Sequence, residues 1–166
     1  WKIIFASLKL LGLAGFWLGD NMAFLIQSGF LFPRNEKERK LAGSSWQKFA
    51  AKCYFSGALA GLYVNAREVL NSFARLQQHI DTNDDGNENE SQTDSLYRAM
   101  KEKHFKLVLA LLKSCCDVTV FTNIAGVDLH QRYRGKKMNE GFQCICALVS
   151  ASTVLYNNFP NAPSSK

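Results

Sequence analysis

The chain has 166 residues, enough for one domain with a core of its own. It carries 20 basic and 14 acidic residues, and its formal net charge is +6. Six of the acids lie between residues 81 and 94, so the rest of the chain is strongly basic and favours anionic partners such as acidic lipid headgroups. Because its basic runs are short and no zinc-finger or RNA-recognition signature accompanies them, nucleic acid is not expected as a partner.

Motifs of the common enzyme classes do not occur in this sequence. It has no phosphate-binding P-loop, no H-E-x-x-H zinc motif and no G-x-S-x-G nucleophile elbow. The five cysteines have spacings that fit neither a disulfide framework nor paired zinc knuckles, which predicts small buried thiols in a reducing compartment. We therefore expect no catalytic residue, no metal site and no cofactor, and the chain is not expected to be an enzyme.

Helix is predicted throughout. Proline occurs only at Pro33, Pro160 and Pro163, and no stretch alternates cleanly with period two. Asn35 and Glu38 have the spacing of a capping box at the start of a helix, while Pro33 and Pro160 end helices. Four helices are predicted, at about residues 3–31, 36–79, 94–127 and 139–158.

The first helix carries a polar strip beside a strip of small residues. At 100° per residue the polar positions fall within about 20° of one another; they are Lys2, Lys9, Asp20 and Gln27. Small strips let helix backbones approach closely, as in packed membrane helices. The second helix has a similar pair of glycines, so we expect helix packing, including self-association, to use these strips. The predicted helix-packing residues are Gly15, Gly19, Gly57 and Gly61.

Residues 81–92 begin like a calcium-binding loop. The pattern fails later, because Glu88 stands where an apolar anchor is needed and Gln92 where a bidentate glutamate completes the coordination. Polar, aromatic-free stretches bury too little surface to fold by themselves. We therefore interpret residues 80–94 as an acidic disordered linker that anionic membranes repel.

The third helix is amphipathic and is predicted to lie in a headgroup layer. Its lysines near the apolar face can keep their stems against acyl chains while the ammonium groups reach anionic phosphates. The predicted membrane-surface residues are Lys101, Lys103 and Lys106. A core-facing helix of a soluble bundle would show the same pattern, so that alternative stays open.

Two segments are long enough to cross a hydrocarbon core, which takes about 20 mostly apolar residues. Residues 3–32 contain two charged residues, Lys9 and Asp20, whereas residues 141–158 contain none and form the best single candidate. The chain's mean hydropathy is slightly negative, which disfavours many spans. The predicted fold is all-α: about four helices in a membrane-associated bundle, with one or two transmembrane spans and amphipathic interfacial helices.

Three segments, in this order, resemble the peroxisomal biogenesis factor 11 (peroxin-11) family of membrane proteins. They are WLGDNMAFLIQSGFL (17–31), LLKSCCDVTVFTNIAG (111–126) and GFQCICALVSASTVLYNNFP (141–160). The resemblance covers most of the chain. Five residues match the family pattern as structural signatures, without an established catalytic role: Asp20, Asn21, Gly29, Asp117 and Gly141.

The resemblance implies that residues 1–166 form a single peroxin-11-like helical membrane domain of the peroxisomal membrane. It further implies membrane elongation, homo-oligomers and recruitment of dynamin-type fission machinery. The family's membrane-bending segment lies upstream of Asp20 and Asn21, so the N-terminal part of the pattern is expected to be missing. Two other functions stay open: a small pore or transport component, with Lys9 and Asp20 lining a water-filled path, and a soluble helical interaction domain.

Overall fold

A computed structural model of the protein describes residues 1–31, 35–83 and 90–159. Within these residues the chain forms five helices and no strand, which confirms the all-α prediction. The helices are α1 (Lys2–Gln27), α2 (Glu36–Asn83), α3 (Glu90–Ile124), α4 (Leu129–Arg134) and α5 (Glu140–Asn158). The sequence predicted four, because α4 is a short turn of helix within the connection between the third and fourth predicted helices. Left-handed residues bracket it, Asp128 with φ 45° and Gly135 with φ 70°.

Helices α2 and α3 run further than predicted, into both ends of the stretch interpreted as a linker at 80–94. The backbone is helical through Asn83 and again from Glu90. A helix that is already nucleated extends at little cost, and glutamate and glutamine are good helix formers. Residues 84–89, which include the middle of the calcium-like pattern, lie outside the described residues.

The end of α1 is set by a glycine rather than by Pro33. Gly29 adopts φ 84°, a left-handed conformation that only glycine takes freely. Its N–H donates to the Ile26 carbonyl at 3.1 Å, and the Phe30 N–H donates to the Leu25 carbonyl at 3.0 Å. This is the hydrogen-bond pattern of a Schellman motif, so α1 stops at Gln27, four residues earlier than predicted.

The helices pack in series, α1 on α2, α2 on α3 and α3 on α5. Each neighbouring pair is antiparallel, since residue numbers fall along one helix as they rise along the other. Between α1 and α2, Lys2 meets Glu68 and Gln27 meets Gly43. Between α2 and α3, Tyr54 meets Asp117 and Phe73 meets His104. Between α5 and α3, Ser150 meets Asp117 and Asn157 meets Lys106.

The long helices α2 and α3 extend beyond the other two. At this end the last contacts of α1 and α5 are Lys2 with Glu68 and Tyr156 with Phe105. Residues 69–83 and 90–104 continue past them as an antiparallel pair, which we call the two-helix stalk. At 1.5 Å per residue the stalk is about 22 Å long. We call the region in which α1, α2, α3 and α5 pack together the helical block. It comprises residues 2–27, 43–68, 105–124 and 141–157.

The helical block has small residues inside and large apolar residues outside. Apart from Ile26, the buried side chains are no larger than threonine or cysteine, and no large side chain of the described residues is fully buried. Large apolar residues point outward instead, as Ile3, Leu10, Trp17 and Leu148 do. A soluble monomer rarely exposes so much contiguous apolar surface, whereas helices that pack in lipid use small residues at their contacts.

Two helical segments within the described residues are long and apolar enough to cross a membrane, Lys2–Gln27 and Ser95–Ile124. Only 11% and 17% of their most apolar windows are buried, unlike the core helix of a soluble protein. The first was predicted. The second was predicted to be interfacial, but residues 107–124 contain only two charged residues, Lys113 and Asp117, and these pair with each other. The predicted best candidate, 141–158, is not among the two, because its serines, threonine and terminal amides dilute its apolar character.

Candidate functional site

Close packing joins α1 to α2 along small residues, which we call the small-residue seam: Gly12, Gly15 and Gly19 on α1, with Ala50, Cys53 and Gly57 on α2. A Cβ atom on Gly12 would lie 2.7 Å from the Gly57 Cα, and one on Gly19 would lie 3.1 Å from the Ala50 Cα. Backbone stands in the way at both positions, so any larger residue would push the helices apart. The seam is therefore used within one chain, and self-association needs another surface.

The polar strip predicted on α1 lies partly along α2. The Lys2 ammonium pairs with Glu68 at 3.0 Å, and the Gln27 side chain fills the space beside Gly43. The methylene chain of Lys9 crosses Gly61, where a Cβ atom would lie 3.5 Å from the Lys9 Cδ. Gly61 thus borders a looser space than the seam. Asp20 is exposed.

A polar cluster centred on Asp117 joins three helices of the block. Asp117 Oδ2 accepts a hydrogen bond from the Tyr54 hydroxyl of α2 at 3.2 Å and pairs with the Lys113 ammonium on its own helix. Its Oδ1 accepts from the Ser150 hydroxyl of α5 at 2.6 Å. Only 13% of the Asp117 side chain is exposed. A carboxylate this desolvated is costly unless donors surround it, and three donors do.

Tyr54 also connects the cluster to α1 through its ring. The Tyr54 ring stacks on Phe121 with centroids 4.0 Å apart, and Phe16 of α1 meets it edge-on at 5.1 Å. These rings connect α1 to the cluster by apolar contact.

A second polar group lies beside the first along α2 and α3. The Asn65 amide donates to the Ser114 hydroxyl at 2.7 Å and to the Ala110 carbonyl at 3.2 Å. The Ser114 hydroxyl in turn donates to the same carbonyl at 3.1 Å. Hydrogen bonds between helices replace water here, which fits a low-dielectric surrounding.

A partly open cavity of about 250 Å³ lies where α1, α2 and α3 meet. Apolar atoms form most of its wall, and the two polar groups form the rest. Its lining residues are Lys9, Leu13, Tyr54, Gly57, Ala58, Gly61, Asn65, Ala110, Lys113, Ser114 and Asp117. Asp20 is not among them, so Lys9 and Asp20 do not share this cavity.

Comparison with known protein families identifies the chain. The family model for peroxisomal biogenesis factor 11 (PEX11) matches residues 2–159, which include all five helices and the polar cluster. The chain belongs to the PEX11 family. No curated protein and no solved structure matches it. Membership gives the chain a role in peroxisome biogenesis and an association with peroxisomes, and the family is not a known class of enzymes.

The residues predicted to match the PEX11 pattern fall into three groups in the structure. Gly29 and Gly141 lie at helix ends: Gly29 closes α1, and the Gly141 N–H donates to the Asn139 side chain that caps α5, at 2.8 Å. Asp117 is the centre of the polar cluster. The other two, Asp20 and Asn21, are exposed on α1 and do not join the cluster.

Within the part of the chain that the structure describes, no group of three His, Cys, Asp or Glu residues could hold a metal ion. Cys116 and Cys146 are buried as predicted, whereas Cys115 and Cys144 are exposed on the outer faces of their helices. The burial prediction is wrong for the latter two. It treated apolar helical stretches as core, while in this family chain their outer faces are apolar as well.

The predicted membrane-surface lysines lie at the boundary between stalk and block. Lys101 and Lys103 are exposed, and Lys106 pairs with Glu102 at 2.7 Å. They directly precede the apolar window 107–124, where long lysine stems can reach a headgroup layer. Sequence reasoning missed Tyr54, Asn65, Ser114 and Ser150. The only signal was the four-residue spacing of Lys113 and Asp117, because the other donors come from separate helices.

Proposed function

We propose that this PEX11-family chain is an integral protein of the peroxisomal membrane that elongates the membrane and so promotes peroxisome fission. The observation that carries the proposal is the inverted distribution of side chains in the helical block. Small residues make the helix contacts, and large apolar residues cover the outside. Acyl chains are the solvent that such a surface requires.

Charge and length support the same placement. Residues 53–66 of α2 carry no charge, so the middle of this long helix can lie between the two candidate spans. Two charged groups inside the block, Lys113 and Asp117, pair with each other. The end of the block next to α4 is basic. The Tyr133 side chain on α4 is 87% exposed. Aromatic and basic residues of this kind anchor a protein at an anionic headgroup layer.

Elongation follows from unequal cross-sections at the two ends of the block. Beyond the four helices of the block, α4 lies at the basic end, between the end of α3 and the start of α5, whereas at the other end only α2 and α3 continue. A protein that occupies more area in one leaflet than in the other favours curvature. Copies that associate through the outer surface would add their effects, and fission machinery of the dynamin type would then act on the narrowed membrane.

The first experiment tests membrane insertion. The chain is expressed in cells that lack PEX11-family proteins, and the peroxisomal membranes are washed with alkaline carbonate. We expect the protein to stay in the pellet and to colocalise with a peroxisomal membrane marker. Release into the wash, together with a monodisperse particle in buffer without detergent, would favour the soluble interaction domain instead.

The second experiment tests elongation with a matched pair of variants. Gly12→Leu opens the small-residue seam, whereas Ala14→Leu introduces the same side chain at an exposed position of the same helix. Peroxisome length is measured by fluorescence microscopy at equal protein levels. Wild type and Ala14→Leu should lengthen peroxisomes, and Gly12→Leu should not. Equal lengths in cells with and without the wild-type chain would contradict the proposal.

A further inference from the structure

The cavity between α1, α2 and α3 has an unbalanced positive charge. Two ammonium groups and one carboxylate line it, those of Lys9, Lys113 and Asp117. Asp117 is already engaged by Tyr54, Lys113 and Ser150 through both of its oxygens. No carboxylate of the described residues pairs with Lys9. A lysine on a candidate membrane span without a counter-ion calls for an anionic partner.

The rest of the cavity wall is apolar and suits the hydrocarbon part of a ligand. Leu13, Ala58 and Ala110 line the cavity with the glycine faces of α2, and apolar atoms make up most of its surface. The volume of about 250 Å³ corresponds to roughly eight molecules of liquid water at ≈ 30 Å³ each. A charged head group with its first few methylenes fits such a space. A complete two-chain lipid does not, so the remaining chain must leave through the open side.

We propose that this cavity is a binding site for an anionic amphiphile, a single negatively charged head group on a flexible apolar chain. Lys9 neutralises the head group, with Lys113 and the Asn65 amide beside it, and the chain passes between the helices into the bilayer. The site rests on the proposed position of the block in the membrane. Its head group can be the carboxylate of a free fatty acid or the phosphate of an anionic phospholipid, which share this chemistry.

The test measures equilibrium binding to the purified full chain in a nonionic detergent. The probes are radiolabelled palmitate, dioleoyl phosphatidic acid and inorganic phosphate. Lys9→Gln removes the unpaired charge, and Gly61→Leu fills the cavity at a position where an added Cβ meets only the Lys9 side chain. Lys2→Gln is the matched control, because its ammonium lies on the same helix but pairs with Glu68 away from the cavity. Circular dichroism and thermal unfolding show that each variant is folded.

We expect Lys9→Gln and Gly61→Leu each to weaken binding of one amphiphile by about tenfold or more, since both the charge-assisted contact and the space are lost. Lys2→Gln should bind as wild type does. The amphiphile that loses affinity identifies the source of the head group. Equal affinities in all variants, an equal loss in Lys2→Gln, or inorganic phosphate binding as tightly as the amphiphiles would each overturn the proposal.

Failure of this site and failure of the proposed function give different results. The Lys9→Gln and Gly61→Leu variants are also taken through carbonate washing. Retention in the membrane without amphiphile binding by the wild-type chain would reject the site and leave the membrane placement intact. Release of the wild-type chain would reject the placement itself.

Discussion

Helices α2 and α3 run through both the helical block and the two-helix stalk, and they meet in different ways in the two regions. In the block they are joined by the Asp117 cluster and the Asn65 amide, and α1 and α5 cover their other sides. In the stalk two ring contacts join them, Phe73 with His104 and His79 with Tyr97, at 6.2 and 6.3 Å. Buried hydrogen bonds thus join the helix pair in the block, and ring contacts between partly exposed side chains join it in the stalk.

The comparison shows which environment each region is built for. Three hydrogen bonds to a buried carboxylate are strong where no water competes for the donors. Ring contacts between half-exposed side chains are adequate for helices that water surrounds. Changes in the two regions should therefore have effects of different size.

The largest effect is expected at the seam. Gly12→Leu places a side chain where the Gly57 backbone stands, and overpacking of this kind costs about 3 kcal/mol or more in unfolding free energy. Ala14→Leu should change that free energy very little. Thermal unfolding in detergent, followed by circular dichroism at 222 nm, measures both. Equal midpoints for the two variants would show that α1 is not held at this distance from α2.

Asp117→Asn should have the next largest effect. The variant keeps the shape of the side chain but leaves the Lys113 ammonium without its carboxylate, at a cost of about 2 kcal/mol. The matched change is Lys40→Gln, which breaks the pair of Lys40 with Glu36 on the surface and should cost under about 0.5 kcal/mol. Unfolding free energies in detergent compare the two. If both variants lose equally little, the cluster is open to water.

Tyr54→Phe should have a smaller effect. Loss of the hydrogen bond to Asp117 costs about 1 kcal/mol near neutrality. Lys113 and Ser150 remain as partners of the carboxylate in this variant. Unfolding free energies in detergent compare Tyr54→Phe with wild type. An unchanged free energy would show that the Tyr54 hydroxyl does not stabilise the cluster.

The smallest global effect is expected in the stalk. Phe73→Ala removes a ring that is 56% exposed and touches His104, so it should loosen the stalk locally and leave the unfolding midpoint of the block unchanged. Limited trypsin digestion measures this through faster cleavage at Arg75 and Arg98. A fall in the midpoint as large as that of Asp117→Asn would show that stalk and block unfold as one unit.

The sequence predicted the helical class and the order of the long helices because both depend on local signals, namely the positions of proline and the periodicity of apolar residues. It also predicted that small glycine strips mediate close helix packing, and Gly15, Gly19 and Gly57 do face a neighbouring helix. It did not predict which helix they face, since a strip says nothing about its partner. Gly61 had the same signal as Gly57, but it faces the side chain of Lys9, whereas Gly57 faces the backbone of Gly12.

The ranking of the candidate spans by their charges depends on information outside each helix. Counting charges favoured residues 141–158 over α3, because the apolar window 107–124 contains Lys113 and Asp117. In the structure these two charges neutralise each other and receive further donors from α2 and α5. The cost of a charge in an apolar segment depends on groups that are distant in sequence, so the sequence of one helix does not determine it.

The continuity of α2 has a mechanical consequence. This helix is unbroken for 48 residues, from the turn after α1 to the tip of the stalk, and at its middle it touches the α1 backbone through Gly57. Because α1 packs along residues 43–68 of the same helix, we expect a force on the stalk to be transmitted through α2 directly to the α1 contact.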